Sequence, residues 1–137
     1  MINTRDINEL LPKVRNLCND LIIECKKQNI NIKIISTYRD NEYQDMLFNK
    51  RPQVTKARGG TSFHNYRLAF DFAIIKNGKI DWNDIVSYKK VGNIGKLLGL
   101  TWGGDFKNLK DYGHFQFDKN GEITINKLQN GYNIYNI

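Results

Sequence analysis

The chain has 137 residues, 40% hydrophobic and 12% aromatic, and its 21 lysines and arginines against 14 aspartates and glutamates leave a net charge of +7. That length makes one domain with a core of its own, and the apolar content excludes a disordered chain. No apolar run reaches the length of a membrane span, no basic-then-apolar leader opens the sequence, and the scattered basic residues carry no RNA- or DNA-binding motif, so the charge fits either an anionic partner or surface or a basic face that is only solvated.

In chain order, Asp6-Ile7-Asn8-Glu9 resembles a capping box for a short turn. Pro12 suits the first position of a helix, and Val14, Leu17, Cys18, Leu21 and Cys25 recur after it at helical spacing, which predicts a buried stripe. Two helical turns hold the cysteines roughly 10 Å apart, too far for a disulfide between them. Both read as reduced core residues of a chain made in a reducing compartment, with no neighbours to complete a metal site. Residues 30–36 form a predicted strand, 41–50 a helix with Tyr43, Met46 and Leu47 on its apolar side, and 51–61 a loop around Pro52 and Gly59-Gly60.

The next predicted strand, 68–75, alternates cleanly. Leu68, Phe70, Phe72 and Ile74 share one face, and Asp71 lies on the other between Ala69 and Ala73. Asn77-Gly78 is a turn signal, 88–98 a helix stopped by Gly99, and Phe115 and Phe117 alternate with His114 and Gln116 on a last strand. From Lys119 the sequence is rich in asparagine and has no clear period. It either packs through Ile123, Ile125, Leu128, Tyr132 and Ile134 or begins a linker, so 1–118 and 119–137 are the predicted divisions.

The only two histidines are His64 and His114, and a carboxylate, Asp71, follows the first by seven residues. Two imidazoles and one carboxylate leave the fourth position of a tetrahedral zinc open, the layout of a catalytic site. Asp111, three residues before His114, is a candidate to take a proton from water there. These patterns read as a zinc hydrolase. By itself, the His64–Asp71 spacing is also compatible with a chance pair, and Asp111 with a turn-forming residue.

The segments Ser36-Thr37-Tyr38-Arg39, Ser62 to Asp71, Trp102-Gly103-Gly104-Asp105 and Asp111 to Phe117 resemble the D-alanyl-D-alanine carboxypeptidase superfamily of zinc peptidases. They are most similar to its L-alanyl-D-glutamate endopeptidase branch, found in phage endolysins and bacterial autolysins. The resemblance implies an α+β fold with a small antiparallel sheet flanked by helices, a catalytic domain over 1–118, and one zinc per chain held by His64, Asp71 and His114. It also implies Asp111 as general base and Arg39 as the cation facing the substrate carbonyl, against the alternative of a surface ion pair with Asp40 or Glu42. Ser62, Gln44 and Asp105 are candidates for supporting the ligands, with a cap on the Gly103-Gly104 turn as the alternative for Asp105, and Trp102, Phe106 and Tyr112 are candidates for lining the groove, with core packing as the alternative for the aromatics. One departure is Arg67, where the family often carries glycine. Positive φ or close packing there suits arginine poorly, and contact with an acidic stem-peptide group is the expectation it raises.

The function so implied is hydrolysis of peptidoglycan stem peptides. A D,D-carboxypeptidase or dipeptidase with the same zinc site is the alternative enzyme, and a non-catalytic wall-binding module the alternative outside catalysis. Expected partners are peptidoglycan and anionic wall polymers, with no nucleic acid, for a monomer made without a signal peptide and released to the wall with phage assistance.

Overall fold

Pro12 opens α1 (Pro12–Lys27), where its missing N–H leaves no bond unmade, and Val14, Leu17, Cys18, Leu21 and Cys25 form its buried stripe as their spacing predicts. The computed structural model describes residues 1–137. Before α1, Asp6 caps a 3-10 turn over Ile7–Glu9 by accepting from Asn8 N. After it, Asn29 turns at φ 58° into β1 (Asn31–Ser36).

Helix α2 (Asn41–Phe48) starts where Asp40 accepts from Tyr43 N at 2.8 Å. Only Gln44 of this helix is buried, whereas Tyr43, Met46 and Leu47 are half-buried. The helix sits on the loop that follows rather than in the core. Gln44 Nε2 donates to the Ala57 carbonyl at 2.9 Å, and Gly59 N donates to Asp45 Oδ1 at 2.7 Å.

The sheet is antiparallel throughout and centres on β2 (Ala69–Lys76). One edge of β2 pairs with β1. The other pairs with β5 (His114–Gln116) and, beyond the Asn77-Gly78 turn, with the short β3 (Lys79–Asp81). A two-residue β4 (Thr101–Trp102) closes the far side against β5. This register sets Asp71 opposite Ser36 on one neighbour and His114 on the other.

The bulky face of β2 makes the core, as its alternation predicts. Phe70, Phe72 and Phe115 have no exposed surface, and the Phe72 ring lies 5.4 Å from Phe115 and 5.5 Å from Tyr88. Burying each ring stabilises the fold by roughly 2–3 kcal/mol. Helix α3 (Ile85–Leu97) lies directly on these rings: a Cβ on Gly95 would fall 2.3 Å from Phe115, and one on Gly92 2.4 Å from Trp102. The helix begins three residues before the predicted start because Asp84 caps it, accepting from Ser87 N at 3.1 Å. Ile85 and Val86 face solvent there, so apolar periodicity does not mark that first turn.

Residues 119–137 lie on the domain. They include α4 (Ile125–Gln129), with Ile123 and Leu128 in the core cluster and Ile125, Tyr132 and Ile134 packed against it. The architecture is the expected α+β, a small antiparallel sheet flanked by helices. No helix is long and apolar enough to cross a membrane.

Candidate metal and catalytic site

His64 sits on a 3-10 turn (Phe63–Tyr66) whose start is fixed twice: Ser62 Oγ accepts from His64 N at 3.2 Å, and Asn65 Oδ1 accepts from Ser62 N at 3.1 Å. The turn leaves through Arg67 at φ 62°, so this position does call for left-handed backbone, the reason a glycine suits it. Arg67 pairs with the Glu9 carboxylate, donates to the Glu9 carbonyl at 2.9 Å and stacks 3.9 Å over Tyr38. The expectation that it meets an acidic substrate group is therefore corrected, since its guanidinium is already occupied away from the groove.

β2 and β5 bring Asp71 and His114 side by side, and the turn before β2 adds His64. Asp71 Oδ1 lies 3.1 Å from His64 Nε2 and 3.0 Å from His114 Nδ1, and the three donor atoms fall within 4.8 Å of one another. The opposite ring nitrogens are held by acceptors. His64 Nδ1 donates to the Thr37 carbonyl at 2.7 Å, and His114 Nε2 donates to Gln116 Oε1 at 3.0 Å. Gln116 cannot turn its amide round, because its Nε2 donates to Asp118 Oδ2 at 3.0 Å. Asp118 in turn accepts from Thr101 Oγ1 at 2.7 Å.

With His64 Nδ1 and His114 Nε2 committed to those acceptors, the remaining ring nitrogens both face one carboxylate oxygen, where each offers a lone pair to a metal when its imidazole is neutral and a proton to Asp71 when it is charged. Burial is the largest influence on His64 and lowers its pKa, against the Asp71 charge, so its neutral form is favoured. For His114 burial also pushes down, but the hydrogen bond and charge of Asp71 outweigh it and raise the pKa. On Asp71 burial pushes up, yet the charge of His64 and hydrogen bonds from both rings hold the carboxyl well below its usual range. Converging nitrogen and carboxylate donors with a fixed outer shell fit a divalent metal ion, which relieves their mutual repulsion.

Arg39 turns inward. Its Nη2 donates to Asp71 Oδ2 at 2.7 Å and its Nε to Ser36 Oγ at 3.1 Å, while Nη1 makes no bond within the protein. This overturns the surface-pair alternative, because Asp40 is instead the cap of α2. The loop that carries Arg39 is braced by the N-terminal residues. Asn3 bridges to Arg39, Ser36 Oγ donates to Asn3 Oδ1 at 2.8 Å, and Thr37 N and Thr4 N bond to the opposite carbonyls at 2.7 and 2.9 Å.

Asp111 stands beside the cluster at the rim of a groove. Its backbone N donates to Gly103 O at 3.0 Å, and a Cβ on Gly103 would come 2.4 Å from the Asp111 carbonyl, so the approach needs glycine. Asp111 is an exposed residue on that rim. Crowding by the groove walls and the Asp71 charge raise its pKa, with His114, His64 and the Gly113 N–H pulling the other way. A hollow of about 980 Å³ contains Arg39, His64, Ser62, Asp111 and His114 in its wall. A second, of about 260 Å³, lies against Asp71, Trp82 and Tyr112, and Lys110 and Asp111 belong to both.

The remaining predicted residues divide. Ser62 and Tyr112 reach the site, and Phe106 lines the larger hollow with its ring 5.7 Å from His114. Trp102 does not line the groove: it is buried against Gly92 and Gly104, and its indole donates to the Tyr112 carbonyl at 2.9 Å. Asp105 pairs with Lys96 at 2.9 Å on the outer surface, so it supports neither histidine. Gln44 acts one step away, by tethering the 51–61 loop that walls the groove. Thr37, Gln116 and Asp118 were not singled out in the sequence, although His114, Gln116 and Asp118 follow the period-two spacing of one strand face.

Residues 55–117 match the D-alanyl-D-alanine carboxypeptidase family. The chain is 35% identical over 133 residues to the peptidoglycan L-alanyl-D-glutamate endopeptidase CwlK of Bacillus subtilis, covering 82% of this chain and 76% of that protein. It is 29% identical over 121 residues to an L-alanyl-D-glutamate peptidase of a Listeria phage, covering 87% of this chain and 42% of that protein. Among solved structures, the L-Ala D-Glu endopeptidase ChiX of Serratia marcescens superposes with a TM-score of 0.69 at 18% identity, over 86% of this chain and 87% of that one. The vancomycin-resistance D,D-pentapeptidase VanY, in complex with Zn(II), superposes with a TM-score of 0.62 at 16% identity, over 88% and 76%. At these identities the superpositions speak to the fold.

Proposed function

The chain belongs to the D-alanyl-D-alanine carboxypeptidase family, and from that premise we propose that it is a zinc-dependent peptidoglycan hydrolase, an endopeptidase that cuts stem peptides between L-alanine and D-glutamate. The observation that carries this reading is the donor cluster of His64, Asp71 and His114, with Asp111 at its edge and a hollow on either side. Its relatives in Bacillus subtilis and in a Listeria phage are named for that bond, which supports the same choice.

One zinc per chain would be held by His64 Nε2, His114 Nδ1 and an Asp71 oxygen. When bound, zinc supplies Lewis acidity and lowers the pKa of water from 15.7 to about 7. Asp111 accepts the proton of the attacking water and returns it to the leaving amine, so one carboxylate serves both halves of the hydrolysis. Arg39 holds Asp71 through Nη2 and, from the wall of the larger hollow, has Nη1 left to donate to the oxyanion that develops on the scissile carbonyl. Thr37, Gln116 and Asp118 keep the imidazoles in the tautomers that ligation needs.

An endopeptidase needs room for chain on both sides of the bond, and the two hollows flanking Asp111 offer it. A carboxypeptidase needs a closed end instead. Digestion of purified peptidoglycan followed by mass spectrometry tests the reading. New N-terminal D-glutamate is the expected product. Release of D-alanine alone would move the chain to the carboxypeptidases, and no product from zinc-loaded protein would leave a wall-binding module.

A further inference from the structure

The two hollows that meet at Asp111 differ in charge. In the wall of the larger one stand Arg39, Lys56, Lys107 and Lys110, against Asp111 as the only carboxylate. Arg39 is committed to Asp71, and Lys110 donates to the Gly104 carbonyl at 3.3 Å. Lys56 and Lys107 are exposed, and neither makes an ion pair or hydrogen bond within the protein. They come from different segments: Lys56 from the loop that Gln44 tethers, Lys107 from the loop that leads to Asp111. Lys110 and Asp111 stand in both walls, and beyond them the smaller hollow has Asp71 and no further cation, with Ile35, Trp82, Ile85 and Tyr112 supplying apolar and aromatic surface. Trp82 is 57% exposed, a large area for an indole beside a candidate active site.

The bond in the proposed substrate is asymmetric in the same way. A glutamyl residue carries two carboxyl groups, and at most one of them continues the chain, so the other stays free as a carboxylate. The alanyl residue on the other side contributes a methyl group and no charge.

We propose that Lys56 and Lys107 form an anion subsite for the free carboxylate on the glutamyl side of the scissile bond, which directs the stem peptide so that its alanyl side lies toward Trp82. This rests on the endopeptidase reading above and adds to it a direction of binding and a chemical criterion for substrates. Two exposed cations in the wall of one groove attract a carboxylate, and an amide in the same position leaves them unpaired. The subsite acts before the chemistry, in binding, so its signature lies in KM rather than kcat.

The test uses two synthetic peptides in which the carboxyl of an N-acylated L-alanine forms the amide with the amino group of D-glutamate, whose side-chain carboxyl is capped as an amide where the stem would continue. One keeps the α-carboxylate free and the other carries it as the primary amide. Zinc-loaded protein should prefer the carboxylate form in kcat/KM by on the order of tenfold, as two exposed ion pairs allow. The double variant Lys56→Ala/Lys107→Ala should bring that preference close to one, through a higher KM for the carboxylate peptide. Trp82→Ala should raise KM for both peptides by the same factor, since their alanyl sides are identical. A preference that survives the double lysine change overturns the subsite. A preference that responds to Trp82→Ala and not to the lysines reverses the direction and overturns it too. Cleavage of neither peptide by the wild type, under conditions where peptidoglycan itself is opened at another bond, sinks the endopeptidase reading and this inference with it. The lysine result alone leaves that reading standing.

Discussion

The Nε2–H of His114 donates to Oε1 of Gln116 across 3.0 Å, which leaves Nδ1 as the only lone pair of that histidine, facing Asp71. Gln116→Ala removes the acceptor and frees the ring to change tautomer. Zinc affinity should fall roughly 10–100-fold, the usual cost of losing an outer partner of a ligand. Chelator competition measures this apart from turnover. Equal affinity in the wild type and Gln116→Ala would remove the glutamine from this role.

Asp111→Asn separates base from ligand. The amide is close in shape, and the backbone contact with Gly103 does not depend on the side chain. Zinc content should stay near one per chain, while turnover falls at least roughly a hundred-fold, as expected for a lost general base. Metal analysis and kinetics on one preparation read both. Metal loss would make Asp111 a ligand instead.

Gly95→Ala should destabilise the fold although alanine is the better helix former. Propensity alone favours alanine by about 1 kcal/mol, whereas overpacking a core costs about 1–3 kcal/mol. Here the new Cβ would sit 2.3 Å from a Phe115 ring that has no exposed surface into which to retreat. A lowered urea midpoint is the expected outcome. A raised one would mean that the ring finds another rotamer.

At Arg67 two substitutions should differ. Arg67→Ala loses the contacts with Glu9 and Tyr38 and keeps the cost of a left-handed residue. Arg67→Gly loses the same contacts but relaxes the backbone, so it should be the more stable of the two by about 0.5–1 kcal/mol. Paired denaturation curves decide it, and alanine at or above glycine would contradict the backbone account.

The two free cysteines give a pH prediction. Burial pushes the Cys18 thiol up to about 12 from an ordinary value of 9.0, and burial with the Glu24 charge pushes Cys25 up to about 11. Below the ordinary value both states hold these protons, so stability is unaffected. Above it the unfolded chain releases them first, and stability should decline as pH climbs toward the folded values. Denaturation midpoints between about pH 7 and pH 11 should therefore drop less in a Cys18→Ala/Cys25→Ala variant. Parallel curves for the two proteins would show that the thiols do not report this burial.

Much of the site was legible because its chemistry sits on regular elements. Asp71 was readable as the polar member of an apolar strand, and His114 as an alternate residue on another, so their meeting needed only an antiparallel pairing. The outer partners were harder. Thr37 takes part through its carbonyl, which carries no residue-type signal, and Asp105 was misassigned because the turn after β4 sends it toward Lys96. Helix α4 escaped notice for a related reason: Leu128 is its single buried residue, too few to make a period.

The brace that residues 3 and 4 lay across Thr37 and Tyr38 is made of few hydrogen bonds at the edge of the fold, remote in sequence from the strands it serves. Strips of this kind detach at much lower free energy than a core opens. Each detachment would free Ser36 from Asn3 and loosen the hold on Arg39 while β2 and β5 stay intact. Amide exchange at Thr4 and Thr37 would then run ahead of exchange at Phe72, and would count the openings in which the arginine is unbraced.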